Sequence, residues 1–205
     1  AGDIARTCWL VAGGPEHVPG TTVDRQCGSA QQAVHFAAQA VMAGVNDLVV
    51  AGGVQQMSQI PISSAMTLAT DLGFPDPFTT SPGWVARYGP DEVSQFTGAE
   101  AIAEKWDLSR DDMEAFAVQS HERALQAQAA GRFEAEIAPF NGLDRDEGPR
   151  EPNWEKIRSL KTLVEGGRIT AAVASQISDA SASLLIASEQ AVKDHGLTPR
   201  ARIHH

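Results

Sequence analysis

An α/β fold is predicted for these 205 residues by three observations. Residues 21–24 (Thr-Thr-Val-Asp) form a β-type run that leads into an alanine-rich helix over residues 28–43 (GSAQQAVHFAAQAVMA). Gly44 ends that helix in the usual C-terminal position. Asp47-Leu48-Val49-Val50-Ala51-Gly52-Gly53-Val54 follows, a short continuous apolar run that marks a buried parallel strand. Strand, turn, helix and strand make a βαβ unit, and a second apolar run at residues 181–187 extends the sheet from the far end of the chain.

Taken in order, the first element is a helix over residues 4–13. In the helix after the turn, Ala30, Ala33, Val34, Ala37, Ala38, Ala40 and Val41 cover far more than one stripe, so it is expected to be buried and closely packed. Gly and Pro cluster over residues 73–90, and two amphipathic helices follow. In the second, Ser109 caps with Asp112 three residues on, Met113, Phe116, Ala117 and Leu125 line one face, and Gly131 stops the helix. Phe133, Ala135 and Ile137 alternate with Glu134 and Glu136 as a half-exposed strand. From Gly167 the chain returns to the sheet with a strand (181–187), a helix (188–195) and a closing strand (200–204). There is no internal repeat or low-complexity tract.

Composition narrows the function classes. A hydrophobic share of 42% is enough to bury a core, and 26 acidic against 16 basic residues give a net charge of −10. Lys and Arg are scattered rather than clustered, which argues against a nucleic-acid partner. No apolar run approaches the ~18 residues needed to span a bilayer, and residues 1–14 lack a basic start; no membrane and a cytoplasmic location are the expectation. Cys8 and Cys27 give neither a disulfide framework nor metal-ligand spacing, so no metal is expected. Neither G-x-G-x-x-G nor a P-loop pattern occurs.

The chemistry-bearing residue is Cys27, in Arg25-Gln26-Cys27-Gly28-Ser29-Ala30. A thiol at a strand-to-helix turn meets the unpaired N–H groups and the positive end of the helix dipole, which favour a thiolate over a thiol. A thiolate is the nucleophile of acyl transfer, and the Cys27 backbone N–H at such a turn is an oxyanion donor. The competing reading is an inert buried thiol. Cys8, in the apolar stretch Cys8-Trp9-Leu10-Val11, is expected to pack in the core. His35 lies on the same helix about 12 Å from Cys27 along the axis at ~1.5 Å per residue, too far for a hydrogen bond. His17, His121 and His195 sit in turn or helix-surface contexts, and no base is assigned.

The span VDRQCGSAQQAVHFAAQAVMAGVNDLVVAGGVQQMS resembles the nucleophile segment of the thiolases, the acetyl-CoA acetyltransferases and 3-ketoacyl-CoA thiolases. The resemblance continues through Ser94-Gln95-Phe96-Thr97-Gly98-Ala99-Glu100 to Phe133, through Asp146-Glu147-Gly148-Pro149-Arg150 with Leu160-Lys161, and through residues 169–180 (ITAAVASQISDA). It implies a thiolase-like fold, the N-terminal α/β half with a partial mixed sheet and a buried helix, plus an inserted loop domain. Residues 1–58 would be part of the N-terminal domain with the nucleophile. Residues 59–161 would be the loop domain that covers coenzyme A and makes oligomer contacts, and 162–205 the return to the sheet.

The resemblance also implies an activity: acyl-CoA C-acyltransfer through an acyl-cysteine on Cys27, the acyl group passing to coenzyme A or condensing with acetyl-CoA. It matches Ser175 to the serine that hydrogen-bonds the pantetheine arm of coenzyme A; from the residue alone, Ser175 is a polar strand-end residue. Coenzyme A and acyl-CoA are substrates, no cofactor is bound permanently, and the full-length protein is expected to be a homodimer or homotetramer. The family's Asn-Glu-Ala-Phe segment, its Gly-His-Pro histidine and its Cys-x-Gly cysteine do not occur here, so the C-terminal catalytic domain is expected to be absent and the chain alone inactive. A ketoacyl synthase of the broader superfamily is disfavoured by the VVAGG…MS and DEGPR blocks. A non-catalytic acyl-CoA-binding or scaffold subunit is the alternative. Ala30, Ala172, Gln176 and Ala180 stand where the family usually has glycine, and Val173 where asparagine is common, so the wall facing coenzyme A is expected to be reshaped.

Overall fold

Asp3 starts the first helix, α1 (Ile4–Val11), by accepting hydrogen bonds from the N–H groups of Ala5 and Arg6. Thr22 completes the cap: its hydroxyl donates to Asp3 at 2.7 Å and accepts from the Ile4 N–H at 3.0 Å. That bond is the main reason the Asp3 carboxyl is held below its ordinary pKa. The run at residues 21–24 is therefore not a strand. Its threonine clips α1, and no ladder forms there.

The computed structural model describes residues 2–204, apart from the side chains of Ala65 and Met66; Ala1 and His205, the outer bounds of the expected first and last segments, lie outside it. The chain divides into two compact units. The first holds the described residues up to Pro61 together with those from Ser178 onward, and the second is Ile62–Ile177.

In the first unit, α2 (Ser29–Met42) packs on β1 (Leu48–Gln56) and β2 (Asp179–Ala187). The strands pair antiparallel, from Leu48 opposite Ala187 to Gln56 opposite Asp179. This corrects the expected parallel βαβ arrangement. With residues 21–24 occupied at α1, β1 takes as its neighbour the apolar run from the end of the chain. Ser58 locks the far end of the ladder by donating its N–H (2.8 Å) and hydroxyl (2.5 Å) to Asp179, which holds that carboxyl below its ordinary pKa. α2 is buried along one stripe only, at Ala37 and Ala38, while Phe36 and Met42 are exposed. Its many small apolar side chains give close contact with the sheet rather than enclosure on all sides. Ser188 caps the short α8 (Glu189–Asp194), and residues 200–204 form no strand.

The second unit contains α3 (Ser64–Asp71), α4 (Pro82–Tyr88), α5 (Gln95–Lys105), α6 (Arg110–Ala129) and α7 (Trp154–Ser159). Ser109 and Asp112 form the capping box expected of α6, and Gly131 follows the helix at φ +66°. The buried face of α6 overlaps the expected one, with Met113, Ala117 and Leu125 half-buried, but is centred beside it. Glu114 and Val118 are buried and Phe116 is exposed, because Arg110 pairs with Glu114 at 2.7 Å and makes that carboxylate tolerable inside. Residues 133–137 are a turn, not a strand: the N–H groups of Glu136 and Ile137 both donate to the Phe133 carbonyl. Among the described residues no helix is long and apolar enough to cross a membrane.

Candidate active site

Cys27 lies in the turn before α2 with φ +64°, in the left-handed region that non-glycine residues seldom occupy. Local bonds impose that conformation. The Gly28 N–H donates to the Arg25 carbonyl at 2.7 Å, and the Arg25 N–H donates to the Ser29 hydroxyl at 2.9 Å. The Arg25 guanidinium in turn donates to Gln32, one turn into the helix. Such backbone strain at an exposed thiol is a feature of sites rather than of scaffolding. The turn lifts Cys27 to the surface, so it is not a buried thiol.

The start of α2 adds the electrostatics. Its N-cap is Gly28, which has no side chain to offer. Among the described residues the backbone N–H groups of Cys27, Ser29 and Ala30 have no acceptor. Free N–H groups at a helix start favour negative charge, here beside the thiol. A charge appearing on an oxygen bonded to a carbon at the Cys27 sulfur would meet donors already in place.

Strand β1 fixes where this helix start stands. A Cβ placed on Gly53 would lie 2.7 Å from the Ala30 Cβ, and one on Gly52 would lie 2.4 Å from the Ala182 carbonyl oxygen. The Gly52-Gly53 pair thus lets α2 and β2 approach β1 within the space of a missing methyl group. Ala30, one of the departures from the family pattern, fills the space that Gly53 leaves open.

Cys8 is exposed on α1, which corrects its expected place in the core. His35 is exposed on α2. Among the described residues no group of three or more His, Cys, Asp or Glu is placed to hold a metal ion.

Ser175 belongs to the second unit, Cys27 to the first. Ser175 is exposed and lies in an irregular segment rather than at a strand end, its hydroxyl 3.4 Å from the Gln176 carbonyl oxygen. Gln176 was visible in the sequence only as a missing glycine. Its side-chain amide donates to the Gly148 carbonyl at 3.0 Å and so ties the Ser175 segment to the Asp-Glu-Gly-Pro-Arg stretch. Gln128 of α6 holds the same stretch by donating to the Asp146 carbonyl at 2.9 Å. A cavity of about 520 Å³ opens beside it, lined among others by Gln128, Asp146, Pro149 and Arg150.

Upstream, Arg110 reaches from α6 to the carbonyls of Ile157, Arg158 and Leu160 at the end of α7. The chain then passes through a single antiparallel bridge between Thr162 and Thr170, and Thr170 is fully buried. Sequence reading missed Arg110 and Gln176, whose carbonyl partners lie 28 to 50 residues along the chain, and Glu114, whose pairing with Arg110 four residues before it passes for an ordinary surface pair.

Comparison with known proteins gives a consistent result. Residues 1–190 match the family described as "Thiolase, N-terminal domain". The chain is 61% identical over 212 residues to the steroid 3-ketoacyl-CoA thiolase FadA6 of Mycobacterium tuberculosis, covering 100% of this chain and 51% of that protein. It is 38% identical over 219 residues to the 3-oxoadipyl-CoA/3-oxo-5,6-dehydrosuberyl-CoA thiolase of Escherichia coli K12, covering 98% and 54%. The crystal structure of human mitochondrial 3-ketoacyl-CoA thiolase in complex with CoA superposes with a TM-score of 0.71 at 28% identity, over 96% of this chain and 51% of that one. The chain spans about half the length of the curated relatives it matches.

Proposed function

The chain belongs to the thiolase family, in its N-terminal domain, and from that premise we propose that the full-length protein is an acyl-CoA C-acyltransferase with Cys27 as its nucleophile. The observation that carries the reading is an exposed cysteine in the left-handed conformation at a helix start whose first N–H groups have no acceptor among the described residues. In this reading the Cys27 thiolate attacks the 3-keto carbonyl of a 3-ketoacyl-CoA. The carbonyl electrons move onto oxygen, where the Cys27 N–H donates to the oxyanion. Collapse breaks the C2–C3 bond. The acyl group stays on Cys27 as a thioester, and the released carbanion takes up a proton as acetyl-CoA. A second coenzyme A thiolate then displaces Cys27. Ser175 is read as a hydroxyl partner of the pantetheine arm, with the second unit as the coenzyme A cover.

The acyl group is read as steroid-derived, because identity to the steroid 3-ketoacyl-CoA thiolase far exceeds that to the oxoadipyl-CoA enzyme. A homodimer or homotetramer in the cytoplasm, acting in fatty-acid metabolism by β-oxidation, completes the proposal.

The test is intact mass of the full-length protein after incubation with acetoacetyl-CoA, followed by peptide mapping. An acetyl adduct on Cys27, lost in Cys27→Ser with a fall in turnover on the order of a thousandfold or more, is the expected result. Coenzyme A binding without an adduct would sink the reading and leave an acyl-CoA-binding subunit.

A further inference from the structure

Glu100 of α5 does something the reaction scheme does not use. One carboxylate oxygen, Oε1, accepts from two consecutive backbone N–H groups, Arg168 at 2.7 Å and Ile169 at 2.6 Å. Gly167, just before them, makes room: a Cβ there would lie 2.3 Å from that same oxygen. The connection is returned in the opposite direction. Arg168 extends its guanidinium to the carbonyl of Ala103 (3.2 Å) in the last turn of α5, where a cation also complements the helix dipole, and to that of Leu108 (2.8 Å) just beyond the helix. Helix and segment therefore hold each other through two arms, an anion on paired N–H groups and a cation on helix-end carbonyls. Such charge-assisted bonds are short and strong.

The clasp ends where the candidate coenzyme A segment begins. Ile169 and Thr170 are buried directly after it, as is Ala103 of α5. The chain then turns, with the Val173 N–H donating to the Thr170 carbonyl at 3.1 Å and the Ala172 N–H to the Thr170 hydroxyl at 3.3 Å. Ser175 comes next, and Gln176 is anchored to Gly148. Ser175 is thus strung between two fixed points, and Glu100 sets the first of them.

We propose that Glu100 is a positioning residue for coenzyme A recognition: by gripping the N–H groups of Arg168 and Ile169 it sets where Ser175 stands. This rests on the reading of Ser175 as a coenzyme A contact. It assigns Glu100 no contact with substrate, and it makes Gly167 obligatory, because a methyl group there would push the carboxylate out of its seat.

The experiment is calorimetric titration of coenzyme A into the full-length protein, with the rate of Cys27 alkylation by iodoacetamide as the control. Glu100→Ala and Gly167→Ala should each weaken coenzyme A binding about tenfold, the loss expected for a charge-assisted bond, with the alkylation rate unchanged. Glu100→Gln, which keeps an acceptor oxygen but not the charge, should show a smaller yet measurable loss of about threefold, and serves if the alanine variants do not fold. Amide exchange at Arg168 and Ile169 should accelerate in the same order. In a Ser175→Ala background Glu100→Gln should have no further effect. Undiminished affinity in all three variants, with exchange accelerated, would overturn the proposal and leave a clasp that only stabilises. Additive effects of Glu100→Gln and Ser175→Ala would also overturn it. Ser175→Ala alone leaving affinity unchanged would refute the coenzyme A reading of Ser175 instead.

Discussion

The two units place their candidate functional residues by opposite means. In the first, Cys27 is positioned by closeness: small side chains and the Gly52-Gly53 pair let α2 press onto β1, and a strained turn raises the thiol. In the second, the Ser175 segment is positioned by reach, with Glu100, Arg168 and Gln176 stretching to main-chain groups some distance away, as Arg110 does to the end of α7. Packing through backbone contact leaves little slack at the thiol. Side-chain arms hold a segment at its ends while leaving Ser175 exposed between them.

Substitutions can break or sharpen this contrast. The largest effect is expected from Arg110→Ala, which strands the Glu114 carboxylate in the interior and frees the end of α7. Urea unfolding should show a loss of about 3 kcal/mol, the size typical of an uncompensated buried charge. A loss under half of that would mean the second unit is held by packing after all. Gly53→Ala is next, at about 2 kcal/mol from overpacking against Ala30. Adding Ala30→Gly should restore most of it, and a double-mutant cycle without coupling would remove the contact between helix start and strand from the account.

Smaller still is Cys27→Gly. Relief of the left-handed strain should make it more stable than Cys27→Ala by about 1 kcal/mol, read from thermal midpoints. An equal midpoint would mean the turn carries no strain. The slightest effect concerns pH. Bonds from Ser109 hold Asp112 below its ordinary pKa, so the folded form binds its proton less readily than the unfolded one. That contribution is complete above the ordinary aspartate value and is lost as pH falls through the lowered one. Asp112→Asn should therefore flatten the acid limb of the stability curve below about pH 4 and leave the neutral region level.

What sequence reading captured was local. The Ser109 cap and Gly44 and Gly131 after their helices each depend on neighbours within a few residues. What it missed depended on distant partners. Thr21 and Thr22 have strand propensity, yet the Thr22 hydroxyl is engaged at Asp3, and nothing nearby in the chain signals that. Residues 133–137 alternate as a strand does but have no ladder to join. The left-handed φ of Cys27 is invisible in a cysteine, whereas a glycine there would have announced it. Glu100 stood within the matched family pattern, but its two acceptor bonds depend on a loop that no periodicity connects to α5.

The sheet of the first unit has a consequence for the life of the chain before it is folded. β1 carries no charged residue and no proline, β2 only Asp179, and among the described residues each strand has one unpaired edge. Val50, Val54, Leu184 and Leu185 are exposed on them. Uncharged edges of this kind are templates for like segments of other molecules. Refolding yield should therefore fall as concentration rises, with molecules joining edge to edge before β2 finds β1 across more than a hundred residues of intervening chain.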